Sequence, residues 1–170
     1  LAIGAPPDDV ELGCGATIAK EIANGKKVGI IDLTRGELGT RGTAETRDLE
    51  SAQAAKILGV AVRTNMEFAD GFFVNDKIHQ IELIKMIRKY RPEIVLCNAI
   101  DERHIDHAKG SNLVSDACFL SGLLKIETKC TEEDGWQEPW RPKHVNHKIQ
   151  WKNIEPDFLM DVTGLMDKKM

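Results

Sequence analysis

Leu1–Gly15 reads LAIGAPPDDVELGCG, and the fold turns on how this stretch changes character. Leu1–Ala5 is short, apolar and bounded by Gly and Pro, the pattern of a buried strand. Two prolines and two adjacent acids, Asp8 and Asp9, come next, and a glycine-punctuated helix start follows. In a sheet with helices on its faces, ligands bind at the carboxyl ends of strands, so a carboxylate pair in that position predicts chemistry at this edge.

The alternation continues outward. Leu12 to about Ala23 places Leu12, Ile18, Ala19 and Ile22 on one helical side, and Asn24-Gly25 closes the helix. Lys27–Leu33, KVGIIDL, is a second strand by its Val and Ile content. Thr34–Thr43, TRGELGTRGT, is a glycine-rich loop leaving the same strand edge as the acids. The helix Ala44–Leu58 has an apolar face of Leu49, Ala52, Ala55, Ile57 and Leu58, and Gly59 ends it. Val60–Phe68 is a third strand, Ala69-Asp70-Gly71 a turn, and Asp76–Tyr90 a helix with Ile78, Ile81, Ile84 and Ile87 at regular spacing, stopped by Pro92.

Glu93–Asn98 is a fourth strand, buried by composition. Ala99–Gly110, AIDERHIDHAKG, leads into a helix through about Leu123, and Lys125–Lys143 reads as a mobile surface loop. His144–Trp151 and Phe158–Val162 read as two further short strands. Strands alternating with helices predict an α/β fold, a Rossmann-like three-layer sandwich with a mostly parallel sheet and right-handed crossovers.

At 170 residues the chain has the length of one domain spanning 1–170, and its abrupt ends, a strand at Leu1 and a bare LMDKKM at the other end, read as trimmed. Hydrophobic residues at 42% and charged ones at 29% describe an ordinary globular protein, while 5% aromatics are too few for stacking platforms on single-stranded nucleic acid. A net charge of −4 argues against nucleic acid and anionic membranes as partners. There is no apolar run long enough to cross a bilayer and no signal peptide, so a cytoplasmic protein is expected. The 4 cysteines, Cys14, Cys97, Cys118 and Cys130, lack CxxC spacing and read as reduced core thiols rather than a disulfide framework or a thiolate zinc site.

If the sheet is parallel, Asp8 and Asp9 after the first strand meet His104, Asp106 and His107 after the fourth. Histidine and carboxylate are ligands that zinc accepts, and a catalytic zinc keeps three protein ligands and a water. One acid would then ligate while its neighbour accepts a proton from that water. Equally, adjacent acids favour a helix N-terminus by themselves, and a His-x-Asp-His run in a loop is often merely solvated. A dinucleotide site is a poorer reading, because G-x-G-x-x-G is absent and the two acids repel a pyrophosphate.

PPDDVELGCG, GELGTRGTAETRDLESAQAAKILG and DERHIDHAKG, in this order and spacing, resemble the LmbE-like (PIG-L) zinc-dependent N-deacetylases of N-acetylglucosamine derivatives. The resemblance covers nearly the whole chain and is closest to the bacillithiol-biosynthesis deacetylases, which act on N-acetylglucosaminyl malate. It implies zinc as cofactor, an N-acetylated amino sugar as small-molecule partner, and a homo-oligomer. It maps metal binding onto Asp9 and His107 and the general base onto Asp8. It maps His104 onto the histidine that stabilises the oxyanion or protonates the leaving amine, with Asp106 as the acid that steadies it. Arg47 corresponds to an arginine near the acyl or sugar group, and Asp70 to an acid that holds sugar hydroxyls. The bland reading of Arg47 is a solvated partner of Glu50, and that of Asp70 is a common Asp-Gly turn.

One departure matters. The family's first motif is Ala-His-Pro-Asp-Asp, and its histidine is a zinc ligand; here the position is Pro6, which has no side-chain donor. Glu11 is the nearest substitute, but it lies further along the chain and is helical. His79, His144 and His147 are read as structural, and the carbonyl-polarising tyrosine of the family is unfilled, since Tyr90 belongs to a helix end.

Overall fold

Among the described residues five strands pair in one sheet in the order β3-β2-β1-β4-β5, every ladder parallel. In chain order they are β1 (Ala2–Gly4), β2 (Gly29–Thr34), β3 (Val62–Phe68), β4 (Ile94–Cys97) and β5 (His144–His147). The helices are α1 (Asp9–Ala23), α2 (Ala44–Leu58), α3 (Lys77–Tyr90), α4 (Ile105–Leu120) and the short α5 (Met166–Lys169). This computed structural model describes residues 1–129 and 135–170. The α/β sandwich with a parallel sheet is as expected, and none of the described helices is long and apolar enough to cross a membrane.

The strand order explains the buried composition. The register sets Ala2 beside Ile30 and Ile3 beside Ile31, and successive side chains point to opposite faces. Ala2 and Ile30 join Val10, Ile18, Ala19 and Leu58 under α1 and the end of α2. Ile3, Ile31, Leu33 and Val95 join Leu83, Ile84, Ile87, Leu113 and Val114 under α3 and α4. All six residues of β2 are buried, as a strand covered on both faces requires.

The sequence changes direction across the sheet between β1 and β4, the position where an open parallel sheet leaves a crevice at its carboxyl edge. Asn98 pins this crevice. Its side-chain oxygen accepts from Ala5 N–H at 3.0 Å and its amide donates to the Ala5 carbonyl at 3.3 Å, so the exits of β1 and β4 are fastened to each other.

Several expectations are corrected. Phe158–Val162 forms no strand, and Leu159 there is 84% exposed, since no sheet edge lies beside it to pair its backbone. Strand β5 ends at His147 rather than near Trp151. Helix α2 is amphipathic only at its end: Leu58 is buried, while Leu49 is 74% exposed, because α2 reaches the core only through its last turn. Leu12 and Ile78 are likewise exposed. The segment 125–143 is not a free loop in its described parts: the buried Arg88 donates to the carbonyls of Ser121, Leu123 and Ile126 and to Thr128, and the Trp140 indole donates to the Pro92 carbonyl at 2.8 Å. Cys130 lies outside the described residues, whereas Cys14, Cys97 and Cys118 are buried free thiols.

Candidate functional site

The acids after β1 and the histidines after β4 do converge at the carboxyl edge. Asp8 is the N-cap of α1 with φ 97°, a left-handed conformation that is strained for a residue with a Cβ. It leaves the Asp8 side chain 60% exposed above the site, while Asp9, the first helical residue, is buried. His104 caps α4: its Nδ1 accepts from the Asp106 N–H at 3.3 Å. The HIDH motif is therefore a helix start, three positions of it inside α4 rather than in a loop.

This capping bond has a chemical consequence. A neutral imidazole that accepts at Nδ1 carries its proton on Nε2, so His104 faces its surroundings as a donor. Asp106 steadies His104 through its backbone N–H; its fully buried carboxylate instead accepts from Gly71 N–H at 2.7 Å and lies 3.6 Å from Lys109 Nζ. The ring of His104 stacks on that of His107, centroids 5.0 Å apart.

His107 Nε2 is in contact with Asp9 Oδ2, but the ring N–H is not aligned on it, and Asp9 Oδ2 is left buried without a hydrogen bond. On the other side of the ring, Glu102 Oε2 lies 3.7 Å from His107 Nδ1. The second Asp9 oxygen accepts from the Gln150 amide at 2.8 Å, and Lys148 Nζ donates to the Asp9 carbonyl. Burial alone would raise the Asp9 carboxyl, but His107, Lys148 and Gln150 together hold it below its ordinary value. Asp8 is pushed the other way, up to about 6, by desolvation of its inner side and by the charge of Asp9. Burial lowers the Lys148 ammonium, with Asp9 opposing.

Arg47 is drawn in from α2 and lies 3.8 Å from Asp8 Oδ2, without the Glu50 partnership of a surface arginine. Gly36 and Gly39 make room for it: a Cβ on Gly39 would stand 2.6 Å from Arg47 Nη2. Its Nε is buried without a partner. Beside it opens a cavity of about 290 Å³ lined by Pro6, Leu38, Arg47, Asp70, His104 and Ile105, among others. Asp70 belongs to its wall, and its oxygens accept from the Thr34 hydroxyl at 3.3 Å and the Leu38 N–H at 3.1 Å.

As a metal site the donor set falls short. Asp9 and His107 are adjacent, Pro6 offers no donor, and Glu11 is turned away into an ion pair with Arg63, which also holds Asp32. Among the described residues no group of three His, Cys, Asp or Glu side chains comes together to hold an ion. Of the histidines expected to be structural, His79, His144 and His147, the first pairs with Asp76 and the last lies against Ser111 and Cys97. Lys148, Gln150 and Glu102 are members of the site that the sequence did not single out. The one available signal was spacing, since residues two apart in extended chain share a side, which sends Lys148 and Gln150 together toward α1.

Comparison with known proteins identifies the family and the fold. The profile of the family described as PIG-L, GlcNAc-PI de-N-acetylase, matches residues 1–118. A deacetylase of Escherichia coli (strain K12), described as the uncharacterized deacetylase YaiS, is 38% identical over 138 residues, covering 77% of this chain and 74% of the relative. Diacetylchitobiose deacetylase of Thermococcus kodakarensis is 28% identical over 184 residues; the alignment takes in 100% of this chain but only 66% of that enzyme. Among solved structures, the conserved protein TT1542 from Thermus thermophilus superposes with a TM-score of 0.90 at 36% identity, covering 99% of this chain and 74% of its own.

Proposed function

The chain belongs to the PIG-L (LmbE-like) deacetylase family, and from that premise we propose that it is an amide hydrolase acting on the acetamide of an N-acetylglucosamine derivative. The observation that carries the reading is the meeting of Asp8, Asp9, His104 and His107 at the crevice between β1 and β4, beside the cavity that Arg47 lines. Relatives described as deacetylases, one of them a diacetylchitobiose deacetylase, support the substrate class. N-acetylglucosaminyl malate is the substrate we favour, from the resemblance to the bacillithiol deacetylases. A cytoplasmic homo-oligomer belongs to the same reading.

In this reaction a water attacks the acetamide carbonyl carbon and Asp8 accepts its proton. Asp8 is suited to this, its side chain exposed near Arg47 and its carboxyl raised to about 6, more basic than an ordinary aspartate. His104 donates from Nε2 to the developing oxyanion, held in that tautomer by the Asp106 N–H. The C–N bond then breaks, the proton passes to the amine nitrogen, and acetate and the free amino sugar leave. Arg47 and Asp70 form the wall against which the sugar is held.

Zinc is the cofactor the family resemblance implies, and here it would have only Asp9 and His107. Two donors do not make the three-ligand site of a catalytic zinc. We therefore expect Pro6→His to raise both zinc content and amine release at least tenfold over the unsubstituted chain, measured by metal analysis and a free-amine assay. Equal zinc content and equal rates in the two proteins would refute this. The missing donor also favours a second reading, a sugar-binding relative without turnover, for which calorimetry would show N-acetylglucosaminide binding with no acetate released.

A further inference from the structure

Two positions decide whether a cation can sit at Asp9: position 6, where a donor is absent, and position 148, where a lysine reaches in. Lys148 follows directly on β5 and crosses to α1. Its Nζ donates to the Asp9 carbonyl, and its stem lies along Gly13, where a Cβ would stand 2.3 Å from Lys148 Cδ. Only a glycine at 13 leaves this channel open, and the helical geometry of α1 breaks at the next residue, Cys14. The same stretch of chain is fastened further on. Gln150 donates to Asp9 Oδ1 at 2.8 Å, the Trp151 N–H to Glu102 Oε1 at 2.5 Å, and Lys152 pairs with Asp101. Residues 148–152 thus bridge the first turns of α1 and the loop after β4.

We propose that Lys148 is the resident cation of this site, its ammonium seated on the Asp9 carbonyl beside the Gln150 amide on the Asp9 carboxylate, so that it opposes a divalent metal between Asp9 and His107. Asp9 is then held by protein groups on two of its polar atoms, Oδ1 by the Gln150 amide and the carbonyl by the Lys148 ammonium, while Oδ2 touches His107 without a hydrogen bond. A divalent ion entering here meets the Lys148 ammonium held close to Asp9, which opposes it by Coulomb repulsion. The inference stands on the donor count and the seat of Lys148, and does not depend on the acetamide hydrolase reading.

The test is a zinc titration of the full chain against a chromophoric chelator, which reads metal affinity without any turnover. The unsubstituted protein and Lys148→Arg, which keeps the charge, are expected to bind zinc equally weakly. Lys148→Met, which keeps the stem and removes the charge, is expected to bind at least tenfold more tightly. Gly13→Ala is the second variant: its methyl group displaces the Lys148 stem while leaving all charges in the chain, and alanine is favoured over glycine in a helix, so folding is not at risk. It is expected to tighten zinc binding in the same direction. Stoichiometric tight zinc in the unsubstituted protein, or unchanged affinity in folded Gly13→Ala and Lys148→Met, overturns the proposal. Amine release by the unsubstituted chain would leave this result untouched, so the two readings fail separately.

Discussion

Asp8 and Asp9 are neighbours in sequence with opposite fates, and backbone conformation separates them. A left-handed φ of 97° turns Asp8 outward at the cap, whereas Asp9 enters the helix and is buried against His107. Asparagine tolerates the left-handed region better than most residues, so Asp8→Asn keeps the backbone while removing the proton acceptor. In the Pro6→His background we expect this change to lower turnover by about 10²–10⁴-fold with little change in melting temperature. Retained turnover would remove Asp8 from the reaction. Both acids were legible as a pair from their position after an apolar run. The resemblance assigned them separate roles; their opposite burial was not legible, because it depends on one torsion angle and on partners, His107 and Lys148, that lie about a hundred residues or more away.

At the scale of elements, the residues that end helices, Asn24-Gly25, Gly59 and Pro92, were the readable signals, while the N-caps emerged from the structure. Thr43, Asp76 and His104 each cap a helix through a side-chain acceptor, and Gly59 ends α2 with φ 79°. Asp76 accepts from the His79 N–H at 3.0 Å and from the His79 ring, and these bonds hold its carboxyl below the ordinary aspartate range. A lowered carboxyl stabilises the fold above its unfolded value of 3.8 and loses that contribution as pH falls through the folded value. Asp76→Ala should therefore melt below the unsubstituted protein at pH 7, with the gap closing only in acid below the ordinary aspartate value. A gap independent of pH would show that the carboxylate is not the stabilising group. Helix faces were less legible than helix ends: Leu49 and Ile78 fit the helical period yet face solvent, since periodicity marks a stripe without saying which neighbour covers it.

At the scale of the whole molecule, the parallel sheet buries all three described cysteines, as the absence of CxxC spacing had implied. Burial pushes the Cys14 thiol up to about 11 and Cys118 up to about 12, and raises Cys97 as well. The thiolate is the reactive form, so none of the three should label appreciably with maleimide at pH 8 in the folded protein, and all should label in denaturant. Peptide mapping by mass spectrometry checks this; fast labelling of Cys97 in native protein would contradict the packing around β4. The sequence alone was sufficient for the strand–helix alternation, the parallel sheet and the placing of both acids and both histidines at one edge, because apolar runs, glycines and prolines are local signals and right-handed crossovers leave few topologies. It also exposed the missing donor at Pro6, which is a matter of side-chain chemistry. Only the tertiary structure decided what stands in the gap. Glu11 is taken by Arg63, and Lys148 and Gln150 arrive from the far end of the sheet, contacts that arise because β5 pairs with β4 and ends beside α1. No local pattern encodes a meeting of that kind, since it depends on which strand ends the fold sets side by side.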